Sequence, residues 1–206
     1  MSRFIRLSAT VFSALIFLAA SLSAQTDKKN IAPPQKGDNY LTLQWFGWTY
    51  HPGGGAVKMV KYYPLKLDPK AYFVINPGIE AKYDYQLSKR FFLRGSGAYY
   101  KDCAYVNAFF VHAAIHYRVI KLGRHSFNAG VGPLLSLRED WHQFDTYKDY
   151  DFYGKRVWRG WQYRFWPVGV ELEYIFQINT RWDFQYSVAP GYPGFIVSSI
   201  GFRYKL

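Results

Sequence analysis

Ala108-Phe109-Phe110-Val111-His112-Ala113-Ala114-Ile115-His116-Tyr117-Arg118-Val119 is the stretch whose reading decides the fold. In an extended chain, successive side chains point to opposite faces. Phe109, Val111, Ala113, Ile115, Tyr117 and Val119 then share one face, and Ala108, Phe110, His112, Ala114, His116 and Arg118 the other. The first face suits hydrocarbon; two imidazoles and a guanidinium exclude that for the second. Working outward, the same alternation sets Ile79, Ala81, Tyr83 and Tyr85 against Glu80, Lys82 and Asp84, and Trp182, Phe184, Tyr186 and Val188 against Asp183, Gln185 and Ser187. Ser126 to Arg138 repeats it, with Phe127, Ala129, Val131, Leu135 and Leu137 opposed to Asn128, Gly130, Gly132 and Ser136.

Extended over the chain, this period predicts eight strands, near 40–50, 71–85, 91–101, 105–119, 125–138, 158–176, 181–189 and 195–206. Most are long enough to cross a bilayer as tilted strands of about 9–11 residues. The connections alternate in kind. Those at 86–90, 120–124 and 177–180 are short, 51–70 and 139–157 are long, and 102–104 and 190–194 are tight turns on the long-loop side. The expectation is an all-β chain folded as an eight-stranded antiparallel transmembrane β-barrel, with both ends of the barrel on the periplasmic side. A soluble lipocalin-type barrel has the same period with the faces exchanged. Tyr and Trp crowding the strand ends (Trp45, Trp48, Tyr50, Tyr99, Tyr100, Trp158, Trp161, Tyr163, Trp182, Tyr204) favour the membrane form, because aromatic girdles form at its two interfaces.

Composition agrees. The chain has 206 residues, 50% of them hydrophobic and 21% aromatic, enough for one well-filled domain and too apolar for disorder. One cysteine excludes an intrachain disulfide and a Cys-rich metal site. A formal charge of +12 by itself suits nucleic acid, an anionic membrane surface or lipopolysaccharide. The N-terminus selects among these. Arg3 and Arg6 precede the apolar run Leu7 to Ala20, and Leu22-Ser23-Ala24 stands before Gln25, the pattern of a signal peptide over 1–24. Nucleic acid is then not an expected partner, and residues 25–38 read as a flexible periplasmic lead-in to a barrel over 39–206. The bacterial outer membrane is the expected location.

Few residues carry chemistry. His112 and His116 lie about 13 Å apart on a strand, too far to share a metal as they would on a helix. Gly53-Gly54-Gly55 lacks the Lys-Ser/Thr of a phosphate loop, Gly130-Val131-Gly132 runs into Pro133, and Glu171 with Glu173 reads as a lumen carboxylate pair. No metal and no cofactor is expected. What remains is His51 at the end of the first strand, with Asp102 and Cys103 in a turn at the same rim, groups able to serve as base, orienter and nucleophile.

Tyr99-Tyr100-Lys101-Asp102-Cys103 resembles the aromatic-Lys-Asp-Ser motif of the outer-membrane lipid A palmitoyltransferase family, and Trp48-Thr49-Tyr50-His51-Pro52 resembles its Thr-Trp-His segment. Phe127-Asn128-Ala129-Gly130-Val131-Gly132 and Arg138-Glu139-Asp140-Trp141 resemble its Gly-rich fifth strand and the Arg-Asp-x-Trp that follows. The resemblance implies a monomeric enzyme that moves an acyl chain from phospholipid to lipid A, with phospholipid and lipopolysaccharide as its partners. His51 would be the base, Asp102 its orienter and Cys103 the nucleophile, where the family has Ser. It also implies an acyl pocket lined by Phe110 and floored by Ala114, where the family has Gly. The family's N-terminal amphipathic helix has no counterpart in 26–38. The alternative is a non-enzymatic small barrel, structural, adhesive or binding lipopolysaccharide through Lys58, Lys61, Lys66, Lys70, Lys155, Arg156 and Arg159. The lumen separates the two. An enzyme of this kind needs an apolar upper cavity, whereas a structural barrel fills its interior with charges such as Arg94, Arg118, Glu171 and Glu173.

Overall fold

The computed structural model describes residues 34–55, 58–147, 153, 155–191 and 195–206. The signal peptide expected over 1–24, and the lead-in as far as residue 33, lie outside the described residues. The strands are β1 (Asn39–Tyr50), β2 (Phe73–Gln86), β3 (Phe91–Lys101), β4 (Asn107–Leu122), β5 (His125–Glu139), β6 (Val157–Trp158), β7 (Trp161–Gln177), β8 (Trp182–Gly191) and β9 (Phe195–Lys205). Every pairing is antiparallel, β1 joins β9, and β5 joins β7. Eight strands therefore close on themselves, and the two-residue β6 hangs from β7 outside the ring.

The expected sixth strand, 158–176, differs in one respect. The chain reverses at Arg159-Gly160 before the wall strand begins at Trp161. The described end of the lead-in also departs from a flexible segment. Gly37 N–H donates to Gln86 O (2.9 Å), Gln86 N–H to Asp38 O (2.9 Å), and Lys205 Nζ to Asp38 Oδ2 (2.7 Å), so the segment is tied to the short-turn end of the wall.

Burial is inverted relative to a water-soluble protein. Leu43 is 62% exposed and Val111 58%, whereas Lys82 is 1% and Arg203 2% exposed. Apolar side chains turned out and ionic ones turned in are stable only with hydrocarbon outside, which makes this a transmembrane barrel. Tyr100 is the exception among the expected girdle residues. It faces inward and packs on Phe46, with ring centroids 4.2 Å apart.

The lumen holds a continuous ionic lattice. Lys82 Nζ reaches Glu171 (2.5 Å), Glu80 (3.3 Å) and Ser187 Oγ (2.8 Å). Arg94 grips Asp84 with two parallel bonds of 2.6 and 2.9 Å and also contacts Glu173 and Glu171. Arg203 joins Asp84 (2.9 Å) to Asp183 (3.0 Å). Buried charges survive only when paired and hydrogen-bonded, and these are. His116 Nε2 lies 3.4 Å and His112 Nδ1 3.9 Å from the same oxygen, Glu171 Oε2. Despite their spacing along the strand, the two imidazoles thus converge on one carboxylate.

At the loop end, Met59, Tyr63, Ala71, Val74, Ala104 and Trp141 form a buried apolar cluster, joined by Phe144 and Tyr147. Thr146 Oγ1 donates to Lys58 O (2.9 Å), which ties the two long loops together. They fold over the barrel mouth as a cap.

Candidate functional site

A β-bulge sets the position of His51. Along β1 the inward residues are Tyr40, Thr42, Gln44 and Phe46, and the register then slips between Phe46 and Trp48. The slip exchanges the faces. Trp48 turns outward beside Trp45 and Tyr186, and Thr49 turns inward. Gly47 permits this, because a Cβ there would lie 2.8 Å from the Trp45 ring. Beyond the strand, His51 N–H donates to Tyr72 O (2.7 Å), and its Nδ1 lies 3.0 Å from Ala71 O.

That contact fixes the tautomer. A carbonyl only accepts, so Nδ1 carries the hydrogen and Nε2 is left as an acceptor. Cys103 Sγ lies 3.6 Å from that Nε2. Asn76 Nδ2, on the inward face of β2, donates to Lys101 O (3.0 Å) and lies 3.8 Å from Cys103 Sγ. Burial holds the His51 imidazole below its ordinary value, and burial with the neighbouring Asp102 charge pushes the Cys103 thiol up to about 12. The pair is a neutral thiol facing a neutral imidazole. It can act only if the sulfur proton moves to Nε2 as the bond to carbon forms.

Asp102 holds a different place from the orienting one the resemblance implies. Its Oδ1 accepts from the N–H groups of Ala104 (2.9 Å) and Val106 (3.2 Å), which shapes the turn in which Tyr105 has a φ of 64°. Its Oδ2 accepts from Trp141 Nε1 (2.7 Å) and lies 3.9 Å from Arg138. The Arg138 guanidinium is stacked 3.6 Å from the Trp141 ring centroid. Burial, only partly offset by Arg138 and Trp141, raises the Asp102 carboxyl to about 6. The structure thus brings His51 and Cys103 together and directs Asp102 to the cap. Asn76 and the binding role of Trp141 escape the sequence reading. Asn76 shared the inward parity of Glu80, Lys82 and Asp84, and that was the available signal.

Phe110 and Ala114 both face the lumen, in unlike surroundings. Phe110 packs on Phe46 (5.5 Å) and Tyr100 (6.5 Å), with Ala98 opposite it. Ala114 is opposite Arg94. On β3 the inward residues run Tyr100, Ala98, Ser96, Arg94, so the apolar layer ends within four residues. Four residues span about 13 Å of strand, or about 10 Å of depth at the usual tilt. A leaflet is about 15 Å deep. A long acyl tail directed down the lumen therefore meets His112, level with Ser96, before it reaches full depth, and Arg94 stands at the leaflet's floor.

No protein-family model and no curated protein sequence matches the chain. Among solved structures it is similar to Ail of Yersinia pestis in complex with the heparin analogue sucrose octasulfate, at 12% identity and a TM-score of 0.48, covering 84% of this chain and 100% of that one. It is also similar to the N-terminal β-barrel domain of Pseudomonas aeruginosa OprF, at 11% identity, TM-score 0.46, and 83% and 100% coverage. Neisserial surface protein A gives 11% identity, TM-score 0.46, and 83% and 98% coverage. The palmitoyltransferase family suggested by the short motifs is not among these findings. The chain is a small eight-stranded transmembrane barrel by its own strand pairing.

Proposed function

We propose that this chain is a non-enzymatic barrel of the bacterial outer membrane whose basic loop end engages lipopolysaccharide. The observation that carries the reading is the ionic lattice, which begins at the level of Ser96 and His112 and occupies the space an acyl well or an aqueous passage would need. The excess of 26 Lys+Arg over 14 Asp+Glu supports an anionic partner. Lys58, Lys61, Lys70, Arg156 and Arg159 are exposed or half-buried at the loop end. Mass spectrometry of lipid A and phospholipids from cells with and without the chain is expected to give identical acyl profiles. Lipopolysaccharide is expected to bind the purified barrel and to bind less as salt rises. An additional acyl chain on lipid A overturns the non-enzymatic reading.

A second reading, acyl transfer at the rim, is favoured by one observation, the 3.6 Å approach of Cys103 Sγ to a His51 Nε2 whose tautomer is fixed by Ala71. In this reading Cys103 attacks a phospholipid ester, Nε2 takes its proton and returns it to the leaving alkoxide; a lipopolysaccharide hydroxyl then attacks the thioester, forming the new ester as the C–S bond breaks, its proton passing through Nε2 back to the Cys103 sulfur. The same lipid profiles decide it. Added acylation that disappears in His51→Ala and persists in Cys103→Ser places the chemistry at this pair.

A further inference from the structure

The hairpin that departs from the expected sixth strand contributes nothing to the closed ring. Among the described residues β6 pairs only with the start of β7, Val157 opposite Gln162 and Trp158 opposite Trp161. The two residues between them, Arg159 and Gly160, have φ of 50° and 79°. Positive φ at both positions is the requirement of a type I′ turn, which Gly or Asn meets without strain. Gly160 meets it. Arg159 does not, so an arginine is held at the tip against the preference of its own backbone.

Residues opposite one another in a ladder share a face. Trp158 therefore lies on the face of Trp161, and with it of Tyr163 and Phe165, the column that meets lipid. Trp158 is 61% exposed, and the Arg159 guanidinium lies 5.1 Å from its ring centroid. Arg156, whose carbonyl accepts from Tyr163 N–H (3.2 Å), is exposed at the foot of the hairpin. Along the rim the outward-facing row continues from Trp158 through Trp161, Glu139 and Asn107 to Lys101. The Glu139 carboxylate is engaged by Asn107 N–H (2.8 Å) and Nδ2 (2.6 Å), and Lys101 Nζ donates to Asn107 Oδ1 (2.7 Å). Four interstrand spacings set the ends of the row about 19 Å apart along the curved wall. It carries a cation at each end.

We propose that this hairpin is a lateral docking site for the phosphorylated disaccharide headgroup of lipopolysaccharide, Trp158 lying against the sugar and Arg159 with Arg156 taking a phosphate; the inference rests on the lipopolysaccharide reading above. Three features select this occupant. A tryptophan on the lipid face just beyond the wall stands at headgroup height, where aromatic belts form. Guanidinium presents a planar fork that matches phosphate oxygens. Two separated cations suit a headgroup with two phosphates, whereas the single phosphate of an ordinary phospholipid engages only one end.

The test titrates dye-labelled lipopolysaccharide into the full barrel in mild detergent, with phosphatidylglycerol and lipid A as unlabelled competitors. The variant is Arg159→Asn with Arg156→Gln, because asparagine keeps the positive-φ turn while the charge is lost. Heat-modifiable electrophoretic migration checks that the ring remains closed. The affinity is expected to fall about tenfold, the factor carried by about 1.4 kcal/mol, with lipid A the better competitor on the wild type. Trp158→Ala is expected to weaken binding independently of salt. If the wild type binds and the double variant binds equally, the hairpin inference is overturned and the broader reading stands. If the wild type does not bind, the broader reading falls. If phosphatidylglycerol competes as well as lipid A, the site takes any single phosphate and the disaccharide assignment is overturned.

Discussion

The cap over the barrel mouth should tighten as pH falls, and Asp102 sets by how much. Its carboxyl is raised from 3.8 to about 6, so the folded cap holds that proton more tightly than the opened one. A raised value gives stability that is complete below the unfolded value and lost as pH climbs through the folded one. A tenfold change in proton affinity is worth about 1.4 kcal/mol, so the full span is about 3 kcal/mol, of which about 1.4 kcal/mol is present at pH 5 relative to pH 8. The assay is amide hydrogen exchange, corrected for intrinsic rates, at Phe144 and Tyr147, whose N–H groups donate to Trp141 O and Phe144 O in the cap. His51, pushed the other way by burial, loosens the cap as pH falls. It does so equally in Asp102→Asn, which removes the ionisation and keeps one of the two acceptor oxygens; the loss of the other is independent of pH and cancels when the two pH values are compared. The difference between wild type and variant isolates Asp102. Wild-type protection relative to the variant is expected to be about tenfold higher at pH 5 than at pH 8. A difference that is flat with pH, or that falls with acid, refutes the assignment.

Three further outcomes follow from the same geometry. Arg94→Met leaves Asp84, Glu171 and Glu173 short of a buried cation and is expected to cost about 3–5 kcal/mol, read as a lower midpoint for urea unfolding in detergent; an unchanged midpoint would mean that water already solvates the lattice. Gly130→Ala is expected to cost about 1–3 kcal/mol, because its Cβ would lie 2.2 Å from His116 Nε2 in a ring held against Phe92, and His116→Ala should relieve most of it. A protease site inserted after Asp145 should be cleaved on intact cells and one at Gly123 should not; the reverse pattern overturns the orientation.

The wall was legible in the sequence because most crossing strands state the same parity over most of their length. Ala108 to Val119 shows it without ambiguity, and the ring needs only that parity repeated eight times. The bulge at Gly47 leaves no mark, since Trp45-Phe46-Gly47-Trp48 is apolar on both faces and a one-residue slip there changes neither. Trp158 to Trp161 reads as strand because its aromatic residues continue the outward column of Tyr163 and Phe165, although Arg159-Gly160 between two tryptophans is a two-residue turn. The site was half legible. Chain order places His51, Asp102 and Cys103 at one rim, but the partner that claims Asp102 is Trp141, 39 residues away, and only the folded loops bring it there. Likewise, strand spacing separates the His112 and His116 backbones correctly and says nothing of a carboxylate reached by both side chains.

The lumen lattice bears on how such a chain enters a membrane. Lys82 and Glu171 stand 89 residues apart, and Arg203 and Asp84 are separated by 119. No early hairpin contains its own counter-ions in full, so strands delivered singly would each carry bare charge into hydrocarbon at a cost of several kcal/mol. Insertion and closure must therefore be one event, in which the first and last strands meet before the polar face loses water. Assembly intermediates of this barrel should be found at the bilayer surface, still hydrated, and not part-way across it.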